Sequence, residues 1–224
     1  MADMSNRRRE PKGIPTGGRF APERSGRDDA SDLTVGDHSV LEGVDVKSVG
    51  CPGKYSTEFF EVRGRRGAEL FRDRIAALRE HNGHAGAVDV HTPEEYKNCR
   101  MFLTEDGEAG FAIAEGDELV SVFSYEGKHA GNAVVAKAVE LGARRLDCYD
   151  IEYMLPGLYG RHGFKPIAYV DWDDDYAPDG WDYGTLGRPR VLAMAVTDDP
   201  PAEPAEHVGY DEAVALAKAA ARRS

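Results

Sequence analysis

Val120-Ser121-Val122-Phe123-Ser124-Tyr125-Glu126-Gly127-Lys128-His129-Ala130-Gly131-Asn132-Ala133-Val134-Val135-Ala136-Lys137-Ala138-Val139 reads as an apolar strand, a glycine-bearing loop and a helix rich in alanine and valine. Such a junction aims backbone N–H groups and the positive end of a helix dipole at one point. It is a seat for a phosphate or pyrophosphate, with a plain strand-to-helix turn as the alternative. The loop is not a Walker A loop, because the Gly-Lys-Ser/Thr ending is missing. It is not the G-x-G-x-x-G of a dinucleotide fold either. Gly131-Asn132-Ala133 supplies one glycine and one small residue.

Downstream, residues 143–150 form a plausible strand. Leu155-Pro156-Gly157-Leu158-Tyr159-Gly160-Arg161-His162-Gly163-Phe164 follows. The order of strand, K-H-A-G-N-A loop, helix, strand and L-Y-x-x-x-G-F resembles the GNAT superfamily of acyl-CoA N-acyltransferases. That family's loop is written Q/R-x-x-G-x-G/A. Lys128, His129, Ala130, Gly131, Asn132 and Ala133 match it with Lys first and Ala last. Tyr159, Gly163 and Phe164 match the family's Y-x-x-x-G-F signature. The resemblance spans about residues 55–196 and is densest over 118–169. Lys128 departs from the pattern: it keeps the charge but lacks the planar fork of arginine.

The resemblance implies acetyl-CoA as co-substrate, no metal, and a small-molecule or peptide amine as acceptor. It implies that the main chain of Lys128 to Ala133 holds the pyrophosphate. It implies that the strand over 120–124 offers its backbone to the pantetheine amides, and that an amide near Val122 and Phe123 meets the thioester oxygen. Tyr159 matches the tyrosine that many members aim at the coenzyme sulfur, where a phenol can protonate a thiolate. Asp117 and Glu118 stand near where some relatives place a carboxylate base. The plainer readings are a solvated His129, ordinary core residues at Val122 and Phe123, a packing ring at Tyr159 and solvated turn acids. The expected function is an N-acetyltransferase acting by direct attack of a primary amine. The alternative, suggested by Lys128 and an unusual leader, is a catalytically inactive GNAT-fold binding, regulatory or virion-associated module.

Composition narrows the rest. The 224 residues are 41% hydrophobic and 30% charged, which suits a globular domain with a real core. A net charge of −12 argues against nucleic-acid binding by the folded part. No apolar run approaches the ~20 residues of a membrane span. Cys51, Cys99 and Cys148 have no metal or disulfide spacing, so a reducing, cytoplasmic setting is expected. A Cys148, His162 and Asp150 hydrolase trio has no spacing to support it and is rejected.

Residues 1–52 read as a disordered or extended leader, basic at Arg7-Arg8-Arg9 and punctuated by proline and glycine. Its Pro11-to-Phe20 stretch resembles short tags ahead of varied actinobacterial and actinophage domains. Residues 53–198 are the expected domain, with strands over 58–63, 100–104, 109–114, 118–124, 166–172 and 190–196. Helices are expected over 66–82, after Thr92 and after Gly131. Residues 199–224 are a proline linker and a short alanine-rich helix, either docked or frayed. The pattern predicts an α+β fold of three α/β/α layers, with a mixed, mostly antiparallel central sheet of the acyl-CoA N-acyltransferase kind. The loop over 173–187, with five aspartates, Trp181 and Tyr183, could attract a cationic amine, and its aromatics are a candidate homodimer seam.

Overall fold

The computed structural model describes residues 39–81, 88, 90–151, 154–178 and 180–221. The leader motifs, the expected helix stop over 82–84, Asp179 and the last three residues lie outside the described residues. Eight strands make one sheet. Their spatial order is β1 (Asp45–Gly50), β2 (Phe59–Arg63), β3 (Arg100–Leu103), β4 (Ala109–Ala114), β5 (Glu118–Ser124), β6 (Arg145–Tyr149), β8 (Val191–Val196) and β7 (Phe164–Val170). Each neighbouring pair is antiparallel except β5 and β6. The helices are α1 (Gly64–His81), α2 (Pro93–Tyr96), α3 (Gly131–Glu140), α4 (Met154–Gly160), α5 (Tyr183–Leu186) and α6 (Tyr210–Ala221). This is the α+β architecture that the pattern predicts.

Strand alternation sorts the core into two sides. On one side Phe102, Phe111, Ile113, Leu119, Leu146 and Cys148 pack against α3 and α4. On the other, Met101, Leu103, Ala112, Ala114 and Val120 pack against α1 and α2. Ala193 and Ala195 of β8 meet Ala213, Ala217, Ala220 and Ala221 of α6, so the C-terminal helix is docked rather than frayed. Small side chains on both partners let this helix lie close to the sheet. Thr92 starts α2 with a complete capping box to Glu95, as the Thr-Pro-Glu-Glu run predicts.

Three differences from the sequence expectations have physical causes. Residues 45–50, within the span expected to be leader, form β1. It is an edge strand with two valines and no apolar period, and it is held by pairing to β2 and by Lys137 Nζ donating to the Val49 carbonyl at 2.8 Å. The strand expected over 166–172 begins at Phe164 and includes Pro166. Proline is tolerated there because β7 closes the sheet and carries a bulge between Pro166 and Ala168. The loop over 173–187 contains a 3-10 turn at Asp174–Tyr176 and the short α5, whose N-cap is Asp182.

One buried cation ties the two halves of the sheet. Arg145 is 2% exposed; it donates to Asp117 at 2.9 Å and to Glu115 at 2.8 Å, and Glu118 lies 3.5 Å away. Glu118 is itself 5% exposed and pairs in register with Arg145. Removing the guanidinium leaves a carboxylate buried without its main counter-charge, the case in which breaking a pair is most costly. Arg145→Met is therefore expected to destabilise the fold by about 3–5 kcal/mol. A urea unfolding midpoint within error of the wild type would refute it.

Candidate active site

The site follows from how β5 meets its two neighbours. Towards β6 the strands run parallel, with α3 in the crossover. Beyond Glu118 opposite Arg145, no further register joins them among the described residues. The edge of β5 from Leu119 onward therefore keeps backbone donors and acceptors facing a gap. Towards β4, Gly110 pairs with Phe123 and Ala112 with Val120, so β5 carries one extra residue. The bulge falls at Ser121 and Val122, and Ser121 has the left-handed backbone angle φ 52°. A bulge takes amides out of the ladder and re-aims them. The Ser121 hydroxyl lies 2.9 Å from the Tyr96 hydroxyl, which fixes that side of the bulge to α2.

The gap between β5 and β6 is a cavity of about 510 Å³. Leu119, Val122, Cys148, Leu155 and Tyr159 line it from the α3/α4 side. Asp147 and Tyr149, the alternate residues of β6, line it from the other side, with His91, Tyr210 and Asp211. The cavity therefore passes through the plane of the sheet, and a ligand on either side can reach the same point.

Tyr159 belongs to the short α4 and rests its ring edge-on against Phe164, with centroids 6.0 Å apart. It is 6% exposed, and its hydroxyl has no hydrogen-bond partner among the described residues. Burial, reinforced by Cys148 and Asp147, pushes its phenol well above the usual range, so it holds its proton at any ordinary pH. The same burial raises the Cys148 thiol, which removes it as a nucleophile.

After the loop that follows β5, α3 starts at Gly131 with Ala130 as N-cap and no side-chain cap. The amides of the first turn thus have no side-chain acceptor. His129 turns the loop with φ 51°, and the Ala130 amide donates to Ser124 Oγ at 3.3 Å. Gly131 has no positive φ, and a Cβ there would sit 3.6 Å from Leu158, an ordinary contact. Nothing in the fold itself demands glycine. Lys128 turns away from this helix end and donates to Asp106, with Glu108 at 3.8 Å, so its charge is already answered. Other basic side chains stand near the helix start. His162 and Arg161 approach Asn132 Oδ1 at 3.2 and 3.4 Å, and Lys54 acts on His162 through space. Burial, then Arg161 and Lys54, hold the His162 imidazole below its usual pKa.

Of the residues singled out by sequence, Val122 and Tyr159 line the cavity. Phe123 points into the core beside Phe71, and Asp117 and Glu118 face Arg145 at the closed end of the gap. Trp181, expected at a homodimer seam, turns inward at 7% exposure and packs on Tyr149 and Trp172 at 4.7 and 4.9 Å. Sequence reasoning did not pick out Ser121, Asp147, Tyr210, Asp211 or the Lys54–Arg161–His162 group. Asp147 had one visible signal, a polar residue alternating with Leu146 and Cys148. No group of His, Cys, Asp or Glu among the described residues is arranged to hold a metal ion. No helix among the described residues is long and apolar enough to cross a membrane.

No family model matches the chain, and no curated protein matches it. Among solved structures it is similar to a candidate acetyltransferase from Salmonella typhimurium with its cofactor acetyl-CoA, at 15% identity and a TM-score of 0.37 over 59% of this chain and 93% of that one. A candidate phosphinothricin N-acetyltransferase gives 16% identity and a TM-score of 0.37 over 57% of this chain and 94% of that one. A GNAT-family acetyltransferase candidate from Chromobacterium violaceum gives 13% identity and 0.36 over 76% and 96%. Likeness at this level assigns nothing to the chain by itself.

The geometry at the start of α3 has a direct test. Inorganic pyrophosphate seated on the open amides would add negative charge beside His162 and raise its depressed pKa. In an NMR titration of the imidazole the midpoint should begin below the usual ~6.5 and move up on adding pyrophosphate. An unmoved midpoint would mean that this helix end binds no such anion.

Proposed function

We propose that this chain is an N-acetyltransferase that moves the acetyl group of acetyl-CoA to a primary amine by direct attack. The observation that carries the reading is the through-sheet cavity, where a bulged strand with an open backbone edge faces the buried Tyr159, whose hydroxyl has no partner among the described residues. An amide-bearing pantetheine arm suits the free edge of β5, which can take it as a further strand takes its neighbour. The uncapped start of α3, with Arg161, His162 and Lys54 nearby, suits the pyrophosphate. The acceptor then comes from the α1/α6 side.

In this reading each chemical task has a place. The amine nitrogen forms a bond to the carbonyl carbon, and the oxygen gains charge. Amides at the Ser121–Val122 bulge donate to that oxygen, and such donors stabilise charge more strongly in a dry cleft than in water. The C–S bond breaks with its electron pair on sulfur, and the Tyr159 hydroxyl gives its proton to the thiolate. The proton released from the attacking nitrogen passes through water to the Tyr159 phenolate and restores the acid. Asp117 and Glu118 are not assigned as bases, because both carboxylates are committed to Arg145.

Two variants separate this from the reading of an inactive binding module. Tyr159→Phe should lower kcat for thiol release by about 10²–10⁴-fold, while calorimetry finds acetyl-CoA affinity nearly unchanged. Because burial raises the phenol, the wild-type rate should show no alkaline loss from this acid at the ~10 of a free tyrosine. Gly131→Glu should leave stability equal or slightly raised through the helix dipole, by about 0.3–1 kcal/mol. The same change should weaken acetyl-CoA binding more than tenfold by repelling the pyrophosphate. Binding without thiol release from any amine would favour the inactive module; no acetyl-CoA binding up to millimolar would reject the transferase and leave a module with another partner.

A further inference from the structure

The lining of the cavity has a strongly uneven charge. Asp147, Asp171, Asp173 and Asp211 all contribute to it, and no lysine or arginine does. They come from three separate parts of the chain: β6, the segment after β7, and the first turn of α6. Elsewhere in this molecule acids of the same region are tied to cations. Asp174 takes two donors from Arg188 at 2.9 and 3.0 Å, and Arg190 donates to Glu206 at 2.5 Å. In the cavity, Asp171 lies 2.7 Å from His207 Nδ1, and Asp173 accepts the Asp175 amide at 2.9 Å. The carboxylates of Asp147 and Asp211 have neither a hydrogen bond nor an ion pair within the described residues. Several carboxylates around one pocket repel one another and cost free energy unless a positive ligand offsets them.

The walls between these acids are aromatic. Trp172 lines the cavity with Tyr149, Tyr176 and Tyr210. Trp172 and Tyr149 lie 5.8 Å apart, and Trp181 backs both, so the rings form a fixed surface. Ring faces attract ammonium groups and also pack methylene chains. Tyr159, a residue 6% exposed whose hydroxyl has no hydrogen-bond partner among the described residues, lines the same cavity and marks the point where chemistry is expected.

We infer that the acceptor is a small oligoamine: an aliphatic chain with at least two amino groups, one acetylated and the others kept as ammonium ions. This deepens the transferase reading and rests on it. A single ammonium would leave most of the negative lining unanswered. The reacting nitrogen must also be uncharged when it attacks, so the stabilising charge has to sit elsewhere on the molecule. Asp147, beside the reaction point on β6, and Asp211, on α6, are the two carboxylates with no other partner among the described residues. Together they would hold the charged remainder against the aromatic wall.

The test compares 1,4-diaminobutane and spermidine with n-butylamine, a monoamine of matching chain, using thiol release from acetyl-CoA by the full-length protein. A lysine-containing peptide is the fourth acceptor. The diamine and triamine should exceed n-butylamine in kcat/KM by tenfold or more, and the preference should shrink with added salt. Asp211→Asn, at an exposed helix start, and Asp147→Asn should each narrow the ratio between diamine and monoamine. Equal use of n-butylamine, or preference for the peptide, would overturn the oligoamine inference while leaving acetyl transfer intact. Calorimetry with the diamine alone separates the other failure. Diamine binding that Asp211→Asn weakens, with no thiol release from any acceptor, would uphold the ligand class and sink the transfer reading. No diamine binding and no diamine turnover would overturn the inference outright.

Discussion

The Arg145 cluster is the constraint on which the site depends. Parallel strands joined through a helix normally zip along their length, and a zipped β5 and β6 would leave no cavity. Here the pair is closed at one end by Arg145 among Glu115, Asp117 and Glu118. From Leu119 onward the two strands part. A buried guanidinium with several carboxylates resists both separation and sliding, because either would strand charge away from water. Lys218 of α6 adds a further tie at 2.9 Å from Glu115. The hinge of the gap is thus electrostatic.

The bulge at Ser121 and Val122 does the remaining geometric work. Without it, period-2 alternation would continue unbroken and every β5 amide on the β4 edge would stay in the ladder. The extra residue sends both Val120 and Ser121 to the α1/α2 side and returns Val122 to the α3/α4 side. β4 accommodates the bend with Gly110, where a Cβ would stand 2.6 Å from the Phe102 carbonyl oxygen and 2.9 Å from the Phe123 ring. A glycine on β4 and a left-handed serine on β5 are therefore two halves of one local device.

Much of the scaffold was legible because periodicity is local. The meander β3–β4–β5 and the capped α2 fell where alternation, turn residues and the Thr-Pro-Glu-Glu run placed them. β1 was not legible, since an exposed edge strand needs no apolar period and owes its place to β2 and Lys137. The site divided along the same line. Tyr159 lies on the cavity. Lys128 kept the charge of the loop position, yet its ammonium went to Asp106 because the β3–β4 turn lies within reach. Such a choice depends on tertiary neighbours and leaves no mark on spacing. The same is true of Asp211, which reaches the cavity because a run of alanines lets α6 settle on β7 and β8.

Charge is divided across the sheet in a way that the net figure of −12 conceals. On the α3/α4 side the helix start is open and the cations Arg161 and Lys54 stand near it. On the α1/α6 side the cavity wall is acidic and aromatic, and no lysine or arginine lines it. Between these two regions lie Leu119, Val122, Cys148 and Leu155, the bulged backbone and the Tyr159 phenol. An anionic ligand is therefore favoured on one side and a cationic one on the other, and like charge keeps each from the wrong mouth. In the transferase proposed above the two ligands would meet where the environment is least polar, and hydrogen bonds from a fixed backbone are strongest there. Burying Tyr159 serves the same end: a phenol kept protonated until a thiolate forms beside it remains a donor and adds no charge between the two mouths beforehand.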